Sequence, residues 1–257
     1  MSDLCLKFLN VGTGLAARRI AVRRREGAAP GLFWLGGFKS DMKGTKAEAL
    51  DLWARDHGRA ITRFDYSGHG ESGGSFTDGT IGRWFEETLA VFDAFCRGPQ
   101  VVIGSSMGGW LALMLTRELT HRTQPDPRVV RLVLIAPAVD FTEELMWKRF
   151  PPEVKREIEQ TGVWARPSQY SEHPYPITRG LIEEGRKHLL LDGMIETGCP
   201  VRILQGVQDL DVPWQHTVEL TARFARDDVV LTLVKDGDHR LSRPEDIERL
   251  IAAVAEA

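Results

Sequence analysis

Val101-Val102-Ile103-Gly104-Ser105-Ser106-Met107-Gly108-Gly109-Trp110 decides the fold. It opens as a β-branched apolar run, and Trp110-Leu111-Ala112-Leu113-Met114-Leu115 continues it with helical character. Between them lies G-x-S-x-G, from Gly104 to Gly108, with Ser106 at its centre. The two glycines permit a sharp strand-to-helix turn that lifts the Ser106 hydroxyl out at the carboxyl end of a sheet. There it stands near a helix N-terminus, whose N–H groups and dipole favour developing negative charge. In a chain with 25 glycines the five-residue pattern alone would fit an ordinary turn. The strand before it and the helix after it make it a nucleophile elbow. Ser105, one residue off centre, is a small packing residue pointed into the turn.

On either side of the elbow the chain alternates strand and helix. Alternating segments at 4–9 and 18–24, joined through Gly12 and Gly14, predict an edge hairpin. Residues 31–35 form a buried strand ending in Gly36-Gly37-Phe38, followed by a helix with Ala47, Leu50 and Trp53 on its apolar face. A strand over 60–65 leads into Tyr66-Ser67-Gly68-His69-Gly70-Glu71-Ser72, and a helix follows from about Thr80 to Cys96. Beyond the elbow helix, 129–135 is a continuous apolar run and thus a central parallel strand. Strands at 201–205 and 229–234 flank a helix carrying Leu220 and Phe224, and a helix with proline in its first turn closes the chain at 244–255. The expected fold is α/β, a mostly parallel twisted sheet with helices on both faces.

One section breaks the alternation. Residues 140–198 show no strong strand pattern. Short helical patches are separated by Pro151, Pro152, Pro167, Pro174 and Pro176, among Trp147, Trp164, Tyr170 and Tyr175. We read a helical cap inserted into a core made of 1–139 and 199–257.

Composition narrows the function. The 257 residues are 42% hydrophobic and 27% charged, as in ordinary globular proteins. A net charge of −3 gives no electrostatic reason to expect nucleic acid or an anionic membrane as partner. The three cysteines, Cys5, Cys96 and Cys199, are far apart and show no metal-binding spacing, so neither a disulfide framework nor a metal site is indicated. No apolar run approaches the roughly 18 residues of a membrane span. Arg18, Arg19, Arg23, Arg24 and Arg25 have the basic bias of a transit peptide. The alternation of Arg19-Ile20-Ala21-Val22-Arg23 instead assigns them to a strand, and a cytoplasmic location is expected.

A serine hydroxyl becomes a useful nucleophile when a base takes its proton and a carboxylate orients that base. In this fold the partners follow in the order Ser, Asp, His, each after a strand. The loop Gly206-Val207-Gln208-Asp209-Leu210-Asp211-Val212-Pro213 offers two acids, of which the G-x-x-D-x-x-V-P pattern favours Asp209. His239, after the last strand, is the expected base. His69 also follows a strand but precedes the nucleophile. His57, His121, His173, His188 and His216 lie away from strand ends. Asp236 and Asp238 are turn formers. An oxyanion hole is expected from the N–H groups of Met107 and Phe38. Trp147, Trp164 and Trp214 are candidate substrate contacts, and Tyr170 and Tyr175 of the cap are expected, with Trp147 and Trp164, either to line an acyl pocket or to pack the cap onto the sheet.

Several runs carry a closer resemblance: Gly37-Phe38-Lys39-Ser40-Asp41-Met42-Lys43-Gly44-Thr45-Lys46-Ala47, Arg63-Phe64-Asp65-Tyr66-Ser67-Gly68, the elbow, Gly162-Val163-Trp164, Asp211-Val212-Pro213-Trp214 and Asp238-His239-Arg240. With them the chain resembles the α/β-hydrolase superfamily. Within it, the chain is similar to the mitochondrial acyl-protein thioesterase and acyl-glucuronide hydrolase group. The resemblance implies Ser106, Asp209 and His239 as a triad that hydrolyses small-molecule acyl esters or thioesters, with no metal or cofactor. It departs from that group at Leu210 and Asp211 and in showing no organellar extension. An amidase or peptidase on the same triad, and a ligand-binding protein on a hydrolase scaffold, are the alternatives.

Overall fold

The computed structural model describes residues 4–167, 174–225 and 228–256. The chain opens with β1 (Cys5–Val11), β2 (Arg18–Arg25) and β3 (Ala28–Leu35), then α1 (Thr45–Asp56), β4 (Arg59–Phe64) and α2 (Ile81–Phe95). The elbow region is β5 (Gln100–Ser105) and α3 (Met107–His121), followed by β6 (Val129–Ile135). The inserted section holds α4 (Pro152–Thr161), β7 (Val163–Arg166), β8 (Tyr175–Thr178) and α5 (Arg179–Gly185). The chain ends with β9 (Val201–Gly206), α6 (Trp214–Arg223), β10 (Val229–Val234) and α7 (Pro244–Ala255).

Eight strands form one sheet in the order β1-β2-β4-β3-β5-β6-β9-β10. β2 runs antiparallel to both neighbours, and the ladders from β4 to β10 are parallel. Parallel strands need helical crossovers, so helices cover both faces and the central strands are apolar on both sides. One core cluster joins the sheet to α2, α3 and the inserted section, with Trp84, Phe92 and Trp110 fully buried. The other packs α1 and α7 on the opposite face, with Trp34, Ala47, Leu50 and Leu250. Among the described residues no helix is long and apolar enough to cross a membrane.

The arginines near the start of the chain are strand residues. Arg18 is buried and pairs with Glu86 and Glu87. Arg23 pairs with Glu71 and Arg25 with Asp51. Burial of such a cation is tolerable when its donors are satisfied by carboxylates.

The inserted section differs from the expected set of small helices. A π-helical turn (Thr142–Met146) and a 3-10 turn (Trp147–Arg149) precede α4. After α4 comes an antiparallel hairpin, with Val163 opposite Thr178 and Ala165 opposite Pro176. Each strand has four residues, too few for alternation to register, and proline reads as a breaker. Within the described residues β8 pairs with β7 only, so Pro176 can sit in it without breaking a second ladder. Phe224 lies just past α6 as its C-terminal cap and bridges to Ile195, because the helix stops at Arg223. Tyr170 and His173 lie outside the described residues.

Candidate active site

Ser106 is the residue between β5 and α3, with φ 54° and ψ −118°. A non-glycine residue in this region is strained, and the surroundings hold it there. Its N–H donates to Ile135 O at 2.9 Å, and its carbonyl accepts from Gly109 N at 2.9 Å and Ala138 N at 3.1 Å. The flanking glycines are sterically required. A Cβ on Gly104 would lie 2.4 Å from Gly108 O, and one on Gly108 would lie 2.1 Å from Leu35 O. The elbow is therefore pressed against both its own helix and the end of β3.

His239 and Asp209 come to Ser106 from the ends of β10 and β9. His239 Nε2 lies 3.1 Å from Ser106 Oγ, and His239 Nδ1 lies 2.7 Å from Asp209 Oδ2. With Nδ1–H donating to the carboxylate, Nε2 is left as an acceptor for the serine hydroxyl. The Asp209 side chain has no exposed surface, and that of His239 is 18% exposed. Asp209 Oδ1 accepts from Asp211 N and Val212 N, each at 2.9 Å. Asp211 is thus a neighbour that contributes its N–H, while its own carboxylate lies 3.7 Å from Arg166 of β7. The ligand atoms of Asp209, Asp211 and His239 lie within 4.8 Å of one another, close enough for a metal ion. The Asp209 oxygens are nevertheless satisfied by N–H donors, as expected for a group that orients a base.

Further residues hold this arrangement, and one of them, Gln205, belongs to no motif. Gln205 Nε2 donates to Asp209 Oδ2 at 3.2 Å and Val212 O at 3.0 Å, while its Oε1 accepts from Thr217 at 2.7 Å. Gly206 lets the His239 loop approach, since a Cβ there would lie 2.4 Å from Gly237 O. Asp238 Oδ1 accepts from Arg240 N and Leu241 N at 3.0 Å, a side-chain turn just after His239. Lys46 Nζ donates to Arg240 O and, at 3.2 Å, to Ser242 Oγ.

The loop after β3 forms the other side. Gly37 allows close approach, since its Cβ would stand 3.2 Å from Ser106 Cβ. Phe38 and Met107 both line the cavity around Ser106. Their N–H groups find no protein acceptor among the described residues. Two unengaged N–H groups beside a serine hydroxyl can receive an oxyanion. The residues after β4 clamp this loop. Met42 N donates to Asp65 Oδ1 at 2.6 Å, Arg63 Nη1 to Met42 O at 2.8 Å, and Lys39 N to His69 Nε2 at 3.1 Å. Lys39 has φ 62°, so the last contact fixes a strained residue next to Phe38. Burial pushes His69 down to about 4, which leaves its ring neutral and able to accept from Lys39. His69 therefore supports the loop and does not contact Ser106.

The cavity holds about 550 Å³. One wall is apolar, with Phe38, Phe141, Leu145, Met146 and Tyr175; another is polar, with Ser40, Lys46, Arg240 and Ser242. Trp147, Trp164 and Trp214, expected as substrate contacts, do not line it. Trp147 packs on the core beneath Arg186 and Lys155, with their cationic groups 5.2 and 5.6 Å from its ring centre. Trp164 packs on Phe150 with ring centres 5.1 Å apart. Trp214 begins α6. The side chain of Phe38 belongs to an aromatic cluster with Phe76, Trp84, Phe141 and Tyr175, a role its sequence position did not reveal.

A family model described as the alpha/beta hydrolase family matches residues 27–253. Palmitoyl-protein thioesterase ABHD10, mitochondrial, of Bos taurus is 39% identical over 237 residues, covering 91% of this chain and 75% of the relative. A crystal structure of a hydrolase from Agrobacterium vitis S4 superposes with a TM-score of 0.96 at 49% identity, covering 99% of this chain and 98% of the other. Mouse alpha/beta hydrolase domain-containing protein 10 superposes with a TM-score of 0.87 at 35% identity, covering 98% and 97%. The chain belongs to the α/β-hydrolase family.

Proposed function

We propose that the protein is a serine hydrolase of carboxylic esters or thioesters, with Ser106 as nucleophile, His239 as base and Asp209 as the group that orients it. The observation that carries this reading is the continuous line of contacts from Ser106 Oγ to His239 Nε2 and from His239 Nδ1 to Asp209 Oδ2. The thioesterase name of the relatives supports a thioester as substrate. Ser106 Oγ attacks the acyl carbon while its proton passes to His239 Nε2. The carbonyl oxygen, now negative, takes the N–H groups of Met107 and Phe38. Collapse breaks the bond to the thiol or alcohol, which leaves with the proton from Nε2. Water then attacks the acyl-serine and gives a proton to Nε2, which passes it to Ser106 Oγ as the acyl–oxygen bond breaks and the acid leaves. An acyl chain fits the apolar wall around Phe141, Leu145 and Met146, and the leaving group faces the polar wall.

A series of p-nitrophenyl esters and matched acyl thioesters of increasing chain length tests the reading. Turnover is expected that falls by at least ~10⁴ in Ser106→Ala. Full activity in that variant would sink the assignment. Equal turnover of matched anilides would favour an amidase. Ligand binding with no labelling by a serine-directed fluorophosphonate would favour a binding protein.

A further inference from the structure

The loop after β9 brings two carboxylates to His239, and the triad uses one of them. Asp209 is the inner one, with a fully buried side chain and Oδ2 at 2.7 Å from His239 Nδ1. Asp211, two residues on, keeps its side chain 28% exposed and lines the same cavity as Ser106. A carboxylate oxygen of Asp211 also lies within 4.8 Å of a ring nitrogen of His239. Charges act on one another across such a distance without a hydrogen bond, and a carboxylate there favours the protonated ring.

A cation from the inserted section faces the same carboxylate. Arg166 Nη2 lies 3.7 Å from Asp211 Oδ1, and Arg166 lines the cavity too. The hairpin sets its place: Arg166 stands opposite Tyr175, whose ring centre is 6.4 Å from that of Phe38 on the oxyanion loop. His239 thus has a negative charge nearby on the β9 loop and, paired with it, a positive one on the insertion. The imidazole becomes positive each time Ser106 or water gives it a proton, so the balance of these charges bears on the chemical step. The other charged groups that line the cavity or adjoin His239 are Lys39, Asp41, Lys46, Asp238 and Arg240. Asp238 turns Oδ1 to Arg240 N and Leu241 N, and Lys46 donates to Arg240 O and Ser242 Oγ.

We propose that Asp211 is a second carboxylate of the base, one that stabilises the protonated form of His239 through space, and that Arg166 offsets part of its charge, so that the inserted section tunes the base. The role of His239 as base rests on the hydrolase reading above; the electrostatic coupling of the three side chains does not.

The titration of His239 tests the coupling without turnover. Its ring Cε1–H resonance, assigned by its loss in His239→Gln, is followed by NMR against pH in the whole chain. Removing a negative charge disfavours the protonated ring, so Asp211→Asn is expected to move the midpoint to lower pH by at least ~0.5. Asp211→Lys reverses the charge and should move it about twice as far, a proportion that a merely displaced loop would not produce. Arg166→Gln removes a positive charge and should move it to higher pH by at least ~0.2. The groups named above are the same in all of these proteins, so their charges drop out of the comparison. An unmoved or raised midpoint in the Asp211 variants, or equal moves in the two, overturns the second carboxylate. The expected moves in both, with none in Arg166→Gln, overturn the part played by the insertion. The acid limb of kcat/KM then tests the base, and is expected to follow the NMR midpoint in each variant. A limb that stays put while the midpoint moves, or full turnover in Ser106→Ala, overturns the hydrolase reading and leaves the coupling standing.

Discussion

The two sides of the cavity are built from different materials. Toward the sheet, the groups that meet Ser106 are mostly backbone: the Phe38 and Met107 N–H groups, Gly37 in close approach, and the strained residues Lys39 and Ser106. Toward the inserted section they are side chains, Phe141, Leu145, Met146 and Tyr175, on short turns and a four-residue strand. Backbone positions tolerate almost no added volume, whereas a wall of side chains can be resized. The chemistry is therefore fixed on one side and the acyl preference is adjustable on the other.

The sharpest break of this contrast is Gly108→Ala. Its Cβ would meet Leu35 O at 2.1 Å and Gly36 O at 2.7 Å, backbone atoms with nowhere to go. We expect a loss above ~4 kcal/mol and no soluble active enzyme, measured by urea unfolding and fluorophosphonate labelling. A near-normal unfolding midpoint would show that the elbow can relax.

Next come two buried ionisable groups, one on each side. His69 titrates at about 4 in the fold against an ordinary 6.5, because burial disfavours its charge. Between those values the unfolded chain holds more protons, so this term destabilises the protein as pH falls, by about 3 kcal/mol in all. Asp140, at the start of the insertion, is pushed up to about 6 from an ordinary 3.8 by burial, although its carboxylate accepts from Leu190 N and Leu191 N. Its term runs the other way, destabilising by about 3 kcal/mol as pH rises from about 4 to 6. Urea midpoints against pH are expected to show His69→Asn gaining on the parent protein toward pH 4. Asp140→Asn should gain on it toward pH 7. Parallel curves for parent and variants would refute both assignments.

Leu145→Phe sharpens the contrast from the adjustable side. Leu145 is partly buried and lines the apolar wall, so the larger ring should shorten the acyl arm. The ratio of kcat/KM for long over short esters is expected to drop about tenfold, equivalent to about 1.4 kcal/mol, with the folded state retained. An unchanged ratio would place the acyl chain elsewhere.

The smallest effect is Gly162→Ala. Gly162 ends α4 with φ +83° and has nothing within 4 Å of a would-be Cβ. Only the left-handed backbone opposes the methyl, at about 1 kcal/mol or about 2–4 °C in Tm. A fall as large as that of Gly108→Ala would mean that the insertion is packed as tightly as the elbow.

The same difference in materials explains what could be read from the sequence. The core strands are apolar runs bounded by glycine, so strands and helices were legible, and with them the positions of Ser106, Asp209 and His239 at strand ends. The hairpin of β7 and β8 was not: its strands are short and scarcely alternate, and one contains a proline. The tryptophans of the insertion drew attention by size, yet pack away from the cavity, while Leu145 and Met146 carry no chemical signal. Gln205 and His69 act through contacts with residues distant in sequence or with main-chain atoms, which no local pattern encodes.

His239 hangs from β10, the outermost strand of the sheet, whose ladder, among the described residues, is shared with β9 only. Such a strand can detach in an opening that leaves the six other ladders paired. The proposed base would leave with it. Esterase turnover in this protein thus gauges the fraying of one edge, and would fade in mild denaturant ahead of the loss of overall helicity.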